Sequence, residues 1–379
     1  MPTSKEELQQ LLCRIIQSIG KELKSQGEEV VFEREIEEEY LWPEGFLNLL
    51  QKASTLVPLP ETKFEPPKLE EVCAKNLEGK KICGVDGSHA GKELSGFYFG
   101  IAAAMAYTSD WRVIRDEHPI FEGKVCRYSS VMGSTWLSLD ETILVFKAAR
   151  RAVEERGPNW VLIDGPLLIY PGLVYAEDKD GMDITEPSLF GRDYKRALAE
   201  CVLEVLRFLF TCRERNIPVV GVIKRVRSSL FDKERRRRDA ALLNRYMRYA
   251  QMTEPRGPGR HPSLEEYEKV AKEEGLKPEV EWKDFFKVVY LKSSKVKPPF
   301  RLEVPFWVDP KEAASVVLAV SDPITGVPVH IQKVEGLIKM GQETLKSIYL
   351  RMLSQHPEST DDLIPLHGEE FLGQRWESA

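Results

Sequence analysis

A chain of 379 residues with 42% hydrophobic and 30% charged side chains has the composition of a water-soluble globular protein, with length for one elaborated core or for two to three domains. The apolar runs are too short to cross a bilayer as a helix and the opening residues carry no apolar signal stretch, so a cytoplasmic location without membrane contact is expected. The six cysteines, at 13, 73, 83, 126, 201 and 212, form no C-x-x-C pair, which argues against a structural zinc site and for reduced thiols. The net charge of -6 conceals a local reversal: residues 224–260 hold twelve Lys and Arg against four Asp and Glu, a pattern that suggests an anion-binding face.

In chain order, apolar residues at helical spacing (Leu8, Leu11, Leu12, Ile15, Ile16, Ile19) predict a helix over 3–23, and 34–50 can supply a second. Residues 1–56 are thus expected to form an N-terminal helical appendage. The prolines of 57–69 cannot sustain a helix, and 57–79 is expected to be a linker. Strands follow at 81–86, 96–107 and 111–121, then a helix at 139–155, a short strand at 160–164, a helix at 191–215 and a strand at 217–223. Three strands, helix, strand, helix, strand is the order of an α/β, RNase H-like core with a mixed five-stranded sheet, in which acidic residues gather at neighbouring strand ends. A basic insertion over 224–300 is expected to begin with a helix at 228–251, with a Pro/Gly-rich loop at 253–262 and a helix at 263–274. Late strands at 285–291 and 302–308 and helices at 310–320 and 336–353 complete a main domain of 80–340, with a C-terminal helix and tail over 341–379.

The chemistry centres on acids. Asp86, in Gly84-Val85-Asp86-Gly87-Ser88, closes an apolar strand, and Ile163-Asp164-Gly165 repeats the arrangement. If the two strands are neighbours, about 5 Å apart, both carboxylates can reach shared cations. An all-oxygen donor set favours Mg²⁺ or Mn²⁺ over zinc, and two such ions suit phosphodiester chemistry. Either Asp-Gly step taken alone also reads as a turn. Glu141, at the start of the helix before the second strand, can point to the same end of the sheet. An acid there also serves the helix dipole, and Asp140 beside it can serve as a cap. The six histidines show no H-x-x-x-H spacing; His89, beside Asp86, could ligate metal or shuttle a proton, but a surface-loop histidine is the commoner case. No G-x-x-x-x-G-K-[ST] loop is present, so ATP-driven motion would have to come from a partner.

Val85-Asp86-Gly87-Ser88, Ile163-Asp164-Gly165, Val219-Val220-Gly221-Val222-Ile223-Lys224 and Gly326-Val327-Pro328, in that order, resemble the NurA nucleases over residues 81–337. The resemblance implies a toroidal homodimer around an RNase H-like core. It implies a Mn²⁺-favoured (or Mg²⁺) deoxyribonuclease using two ions, with 5′-to-3′ exonuclease and single-strand endonuclease activity on single-stranded DNA and duplex ends. The partner would be a HerA-type hexameric ATPase, in DNA end resection and repair. Carried over by position, Asp86, Glu141 and Asp164 are metal ligands, Glu335 is a fourth, and Lys224 contacts phosphate. Glu335 is the best match to a family position that is often histidine or an acid, and His330 lies nearby in a different register.

Arg225 and Arg227 follow the last core strand, and Arg235, Arg236, Arg237, Arg238 and Tyr246 lie on the expected basic helix. Arginines that neutralise phosphates and a tyrosine that stacks on unpaired bases would make this segment a DNA-binding face; the alternatives are a solvated helix or a face that docks the ATPase. Two other readings share the acidic pattern: an ATP-handling phosphotransferase of the RNase H-like superfamily, and a non-catalytic DNA-binding subunit.

Overall fold

The computed structural model describes residues 66–93, 98–112, 115–116, 118–128, 133–176, 194–226, 228–231 and 238–339, with 347 and 351. The helices expected over 3–50 and the tail lie outside these, as does most of the helix expected at 336–353.

The described strands are β1 (Leu69–Glu71), β2 (Lys81–Glu93), β3 (Tyr98–Asp110), β4 (Ile120–Tyr128), β5 (Trp160–Asp164), β6 (Val219–Ile223), β7 (Gln251–Thr253), β8 (Phe286–Leu291) and β9 (Phe300–Pro305). They form one sheet in the order β1-β7-β8-β9-β6-β5-β2-β3-β4. The expected five-stranded sheet is therefore one end of a nine-stranded one. β2, β5 and β6 run parallel, β2-β3-β4 is an antiparallel meander, and β9 pairs antiparallel with β6, so the region expected as an insertion continues the same sheet. The stretch expected as a linker also contributes: β1 pairs with β7, and Val72 and Leu77 are buried.

Helices cover both faces. On one lie α1 (Gly133–Arg156), α3 (Tyr194–Glu214) and α5 (Pro262–Glu273), whose buried residues Leu139, Ile143, Val202, Leu209 and Tyr267 share a core with Val85, Val161 and Ile163. On the other, α6 (Pro310–Val320) packs through Ala313, Val316 and Val317 on Trp160, Leu162, Val220 and Val222. β5 and β6 are thus apolar on both faces, as central parallel strands must be. Two short helices, α2 (Pro171–Val174) and α4 (Asp239–Leu243), a 3-10 turn at Trp282–Asp284 and α7 (Val329–Ile338) are also described. No described helix is long and apolar enough to cross a membrane.

Two expected elements differ, each for a local reason. The third strand begins at Ile120, not at 111: the Asp116 carboxylate accepts the backbone amide of Thr108 (2.8 Å) and the Asp116 amide donates to the Tyr107 hydroxyl (2.8 Å), which folds Asp116 back onto the end of β3. Of the basic helix expected at 228–251, only α4 is helical among the described residues; at 230–231 the buried Asp239 carboxylate accepts the amides of Leu230 (2.8 Å) and Phe231 (2.9 Å), and it also accepts the Tyr290 hydroxyl (2.6 Å). Those bonds hold the backbone in a non-helical path. Ahead of the helix expected at 336–353, which lies mostly outside the described residues, α7 starts at Val329 after Gly326 (φ +76°) and Pro328, with Ile331, Val334 and Ile338 on its buried side.

Candidate active site

β2 and β5 are in parallel register with Val85 opposite Ile163, which sets Asp86 and Asp164 one residue further along adjacent strands. β5 stops at Asp164, where Gly165 turns the chain with φ +129° and donates its amide to Val222 (3.0 Å). β2 does not stop at Asp86. It continues to Glu93, so Gly87 is not a turn residue. A Cβ at Gly87 would meet Val145 Cγ2 at 2.6 Å and Glu141 Cγ and Oε1 at 2.8 Å, so the missing side chain lets α1 lie on the strand and brings Glu141 beside Asp86. Gly84 does the same on the opposite face, where a Cβ would stand 2.7 Å from the carbonyl of His330 in α7. Two glycines three residues apart thus admit the two helices that carry Glu141 and Glu335.

Glu141 lies in the third turn of α1, not at its start, and its Oε2 is 2.6 Å from Nδ1 of His89. Asp140 turns the other way and is buried, accepting from Lys124 (2.8 Å), the Cys126 thiol and the Tyr128 hydroxyl, so it neither caps the helix nor reaches the acids. Lys224, the first residue after β6, bridges Asp164 Oδ2 (2.7 Å) and Glu335 Oε2 (2.9 Å). Asp86, Glu141 and Asp164 line one cavity of about 470 Å³, together with Ser134, Ser138 and Thr142 of α1 and Pro166, Ile169 and Tyr170 after β5.

The electrostatics show what this arrangement lacks. Burial, then the Asp164 carboxylate, pushes Asp86 up to about 8, against the opposing pull of Lys224 and the Gly87 amide. Asp164 is also raised, burial outweighing Lys224. Burial lowers the Lys224 ammonium, but Asp164 and Glu335 outweigh it and its affinity for the proton rises. His89 is raised by its hydrogen bond to Glu141. Among the described residues no three His, Cys, Asp or Glu side chains are drawn together closely enough to hold an ion as they stand, the acids being shared between Lys224 and His89. The donor set still fits a hard divalent cation: all oxygen, mostly buried, and short enough of positive charge that Asp86 retains a proton near neutrality.

Of the other residues singled out in the sequence, Arg238 is exposed at the start of α4, Tyr246 is 47% exposed in the turn after it, and neither lines the cavity. Arg225 follows Lys224 and acts on Asp164 through its charge. Arg227, Arg235, Arg236 and Arg237 lie outside the described residues. His330 is fully buried against Gly84, with no well-formed hydrogen bond to either ring nitrogen among the described residues. Sequence reasoning missed the His89–Glu141 pair and the hydroxyls of Ser134, Ser138 and Thr142. The four-residue spacing of those hydroxyls was the available signal, but it precedes the apolar periodicity that marked the helix.

The sequence profile of the NurA domain matches residues 80–340. No curated protein sequence matches the chain. Among solved structures, the NurA nuclease from Sulfolobus solfataricus is similar at a TM-score of 0.56 and 14% identity, covering 77% of this chain and 88% of that one. A NurA crystal structure with manganese gives a TM-score of 0.47 at 11% identity, covering 91% of this chain and 98% of that one. The first likeness shows a shared α/β fold, and with a domain profile spanning well over half of its length the chain belongs to the NurA family.

Proposed function

We propose that this protein is a divalent-metal-dependent deoxyribonuclease. The observation that carries the reading is the convergence of Asp86, Glu141 and Asp164 on one cavity, where burial raises both aspartates above the usual carboxylate range. Asp86, Glu141 and Asp164, with Glu335 as a fourth, are the residues that would hold Mn²⁺ or Mg²⁺, and the family resemblance supports two ions. Such ions supply charge against the phosphate in its transition state and make water a competent nucleophile near neutral pH. The net reaction adds one water across a P–O bond, leaving a phosphate monoester and an alcohol.

The chain's own groups do the rest. The Lys224 ammonium stays protonated and sits between two acids, so on arrival of a cation and an anionic strand it is free to turn to a phosphate oxygen. Glu141 is held in orientation by His89 at the cavity wall. Arg225, Arg227, Arg235–Arg238 and Tyr246 are proposed contacts to the strand outside the cavity. The family resemblance is the ground for proposing a homodimer, work beside a HerA-type ATPase, 5′-to-3′ digestion and a role in DNA end resection.

The test is direct. Purified protein incubated with end-labelled linear DNA and Mn²⁺, without ATP, is expected to release nucleotides or short fragments. Absence of cleavage under any divalent ion overturns the reading in favour of a DNA-binding subunit. Cleavage or phosphoryl transfer seen only with ATP overturns it in favour of an ATP-handling enzyme.

A further inference from the structure

The segment after Asp164 forms the cavity wall facing α1, and it is held with unusual completeness for a surface connection. Glu303 of β9 is 2% exposed. Its Oε2 accepts the amides of Leu167 (2.8 Å) and Leu168 (3.0 Å), while Oε1 takes Nη2 of Arg301 (2.6 Å). Tyr267 of α5, also buried, donates its hydroxyl hydrogen to the Leu167 carbonyl (2.7 Å) and accepts the Ile169 amide (3.2 Å). Three consecutive backbone amides are therefore fixed from beneath by two side chains on other elements. A buried carboxylate satisfied by two amides and a guanidinium is a rigid anchor, since each partner would be left unpaired if the segment moved.

What this anchored segment presents is Tyr170. Its carbonyl accepts the Leu173 amide (2.9 Å), and α2 begins at the next residue. A Cβ on Gly172 would stand 2.5 Å from the Tyr170 ring, so the ring occupies the space a side chain at 172 would fill. The ring nevertheless remains 52% exposed while lining the cavity that contains Asp86, Glu141 and Asp164. A large aromatic held half in solvent at the mouth of an anionic, cation-seeking cavity contributes little to the core, and its free face is a stacking surface.

We propose that Tyr170 stacks on the base of a nucleotide entering the cavity, with Glu303 and Tyr267 as positioning residues, so that the site selects unpaired, base-bearing strands. The inference rests on the nuclease reading. Stacking needs an accessible π-face, which a base within a duplex does not offer, and it is tolerant of base identity.

Full-length protein with Mn²⁺ is tested on two strands of equal length, oligothymidylate and a strand of abasic sugar-phosphate units. Tyr170→Ala is expected to raise KM about tenfold on oligothymidylate and to leave the abasic strand unchanged, while Tyr170→Phe keeps wild-type values on both. Glu303→Gln is expected to move KM on oligothymidylate in the same direction by a smaller factor. An equal change on both strands, or no change on either, overturns the proposal. Because Tyr170 is exposed, its variants are expected to fold, which keeps the test independent of the buried glutamate. If the wild type cleaves neither strand, the nuclease reading fails. Fluorescence anisotropy of the same strands then decides for Tyr170: loss of affinity confined to oligothymidylate supports it, and uniform affinity refutes it.

Discussion

Asp86-Gly87 and Asp164-Gly165 are the same dipeptide after the same kind of apolar run, and the fold uses their glycines for opposite reasons. Gly87 has ordinary extended backbone and no room: α1 packs where a side chain would be, and Glu141 arrives with it. Gly165 has open space around its Cα and a backbone angle, φ +129°, that other residues rarely adopt. One glycine admits a helix and the other ends a strand. Each places a carboxylate, but only the first is coupled to the placement of a second acid.

That contrast can be broken in order of expected effect. Asp86→Asn or Asp164→Asn is expected to lower kcat by more than about a hundredfold, beyond the usual cost of losing a group that merely supports a ligand. Because burial and Asp164 raise Asp86 to about 8, its ionised form is disfavoured in the fold. Asp86→Asn is therefore expected to melt higher than wild type at pH 8 without metal, and a lower melting point there would refute this account of the site.

Gly87→Ala comes next. It forces Val145 and Glu141 away, and a displacement approaching 1 Å at a reacting centre can cost up to about a hundredfold in rate. Overpacking adds about 1–3 kcal/mol of instability. Gly165→Ala should do the reverse, losing about 1–3 kcal/mol through backbone strain with a far smaller fall in kcat. Urea melts and kinetics on both variants separate the two roles, and equal kcat losses would erase the distinction.

The smallest effect concerns His330, which reaches its buried place because Gly84 lets α7 down onto β2. Burial holds its imidazole near 4, against the Asp110 backbone and carboxylate, which favour protonation. A histidine at about 4 in the folded chain and about 6.5 unfolded contributes stability that is complete above pH 6.5 and is lost as pH falls towards 4. The wild type is expected to lose at most about 2 kcal/mol between pH 7 and pH 5 from this group. His330→Leu should show a flatter dependence, and an unchanged one would assign the pH effect elsewhere.

Much of this site could be read from local sequence, because β5, β6 and α6 are short segments whose apolar pattern and flanking Gly or Pro set their limits. Trp160–Asp164 and Pro310–Val320 fall where the pattern puts them. The parts that could not be read depend on distant partners. Asp239, which holds the backbone at 230–231, bonds Tyr290, 51 residues away, and Glu303 shapes a loop 135 residues before it. Nor does periodicity reveal that 286–305 adds strands beside β6, since a nearly continuous buried run marks a strand without naming its neighbour. His89 looked like a loop residue because the strand was expected to stop at Asp86. Its continuation to Glu93 is fixed by pairing with β3, not by local composition.

The parallel pairing of β2 with β5 also governs the timing of assembly. The β2-β3-β4 meander can form from residues near one another in the chain, but Val85 meets Ile163 only after the whole α1 crossover is in place. Asp164 meets Lys224 only after the α3 crossover, and Glu335 must come from 111 residues beyond Lys224. Contacts of such long sequence separation form slowly because loop closure precedes the interactions that reward it. On refolding from denaturant, competence to bind a cation should therefore return with the slowest phase, well after most β-structure is regained.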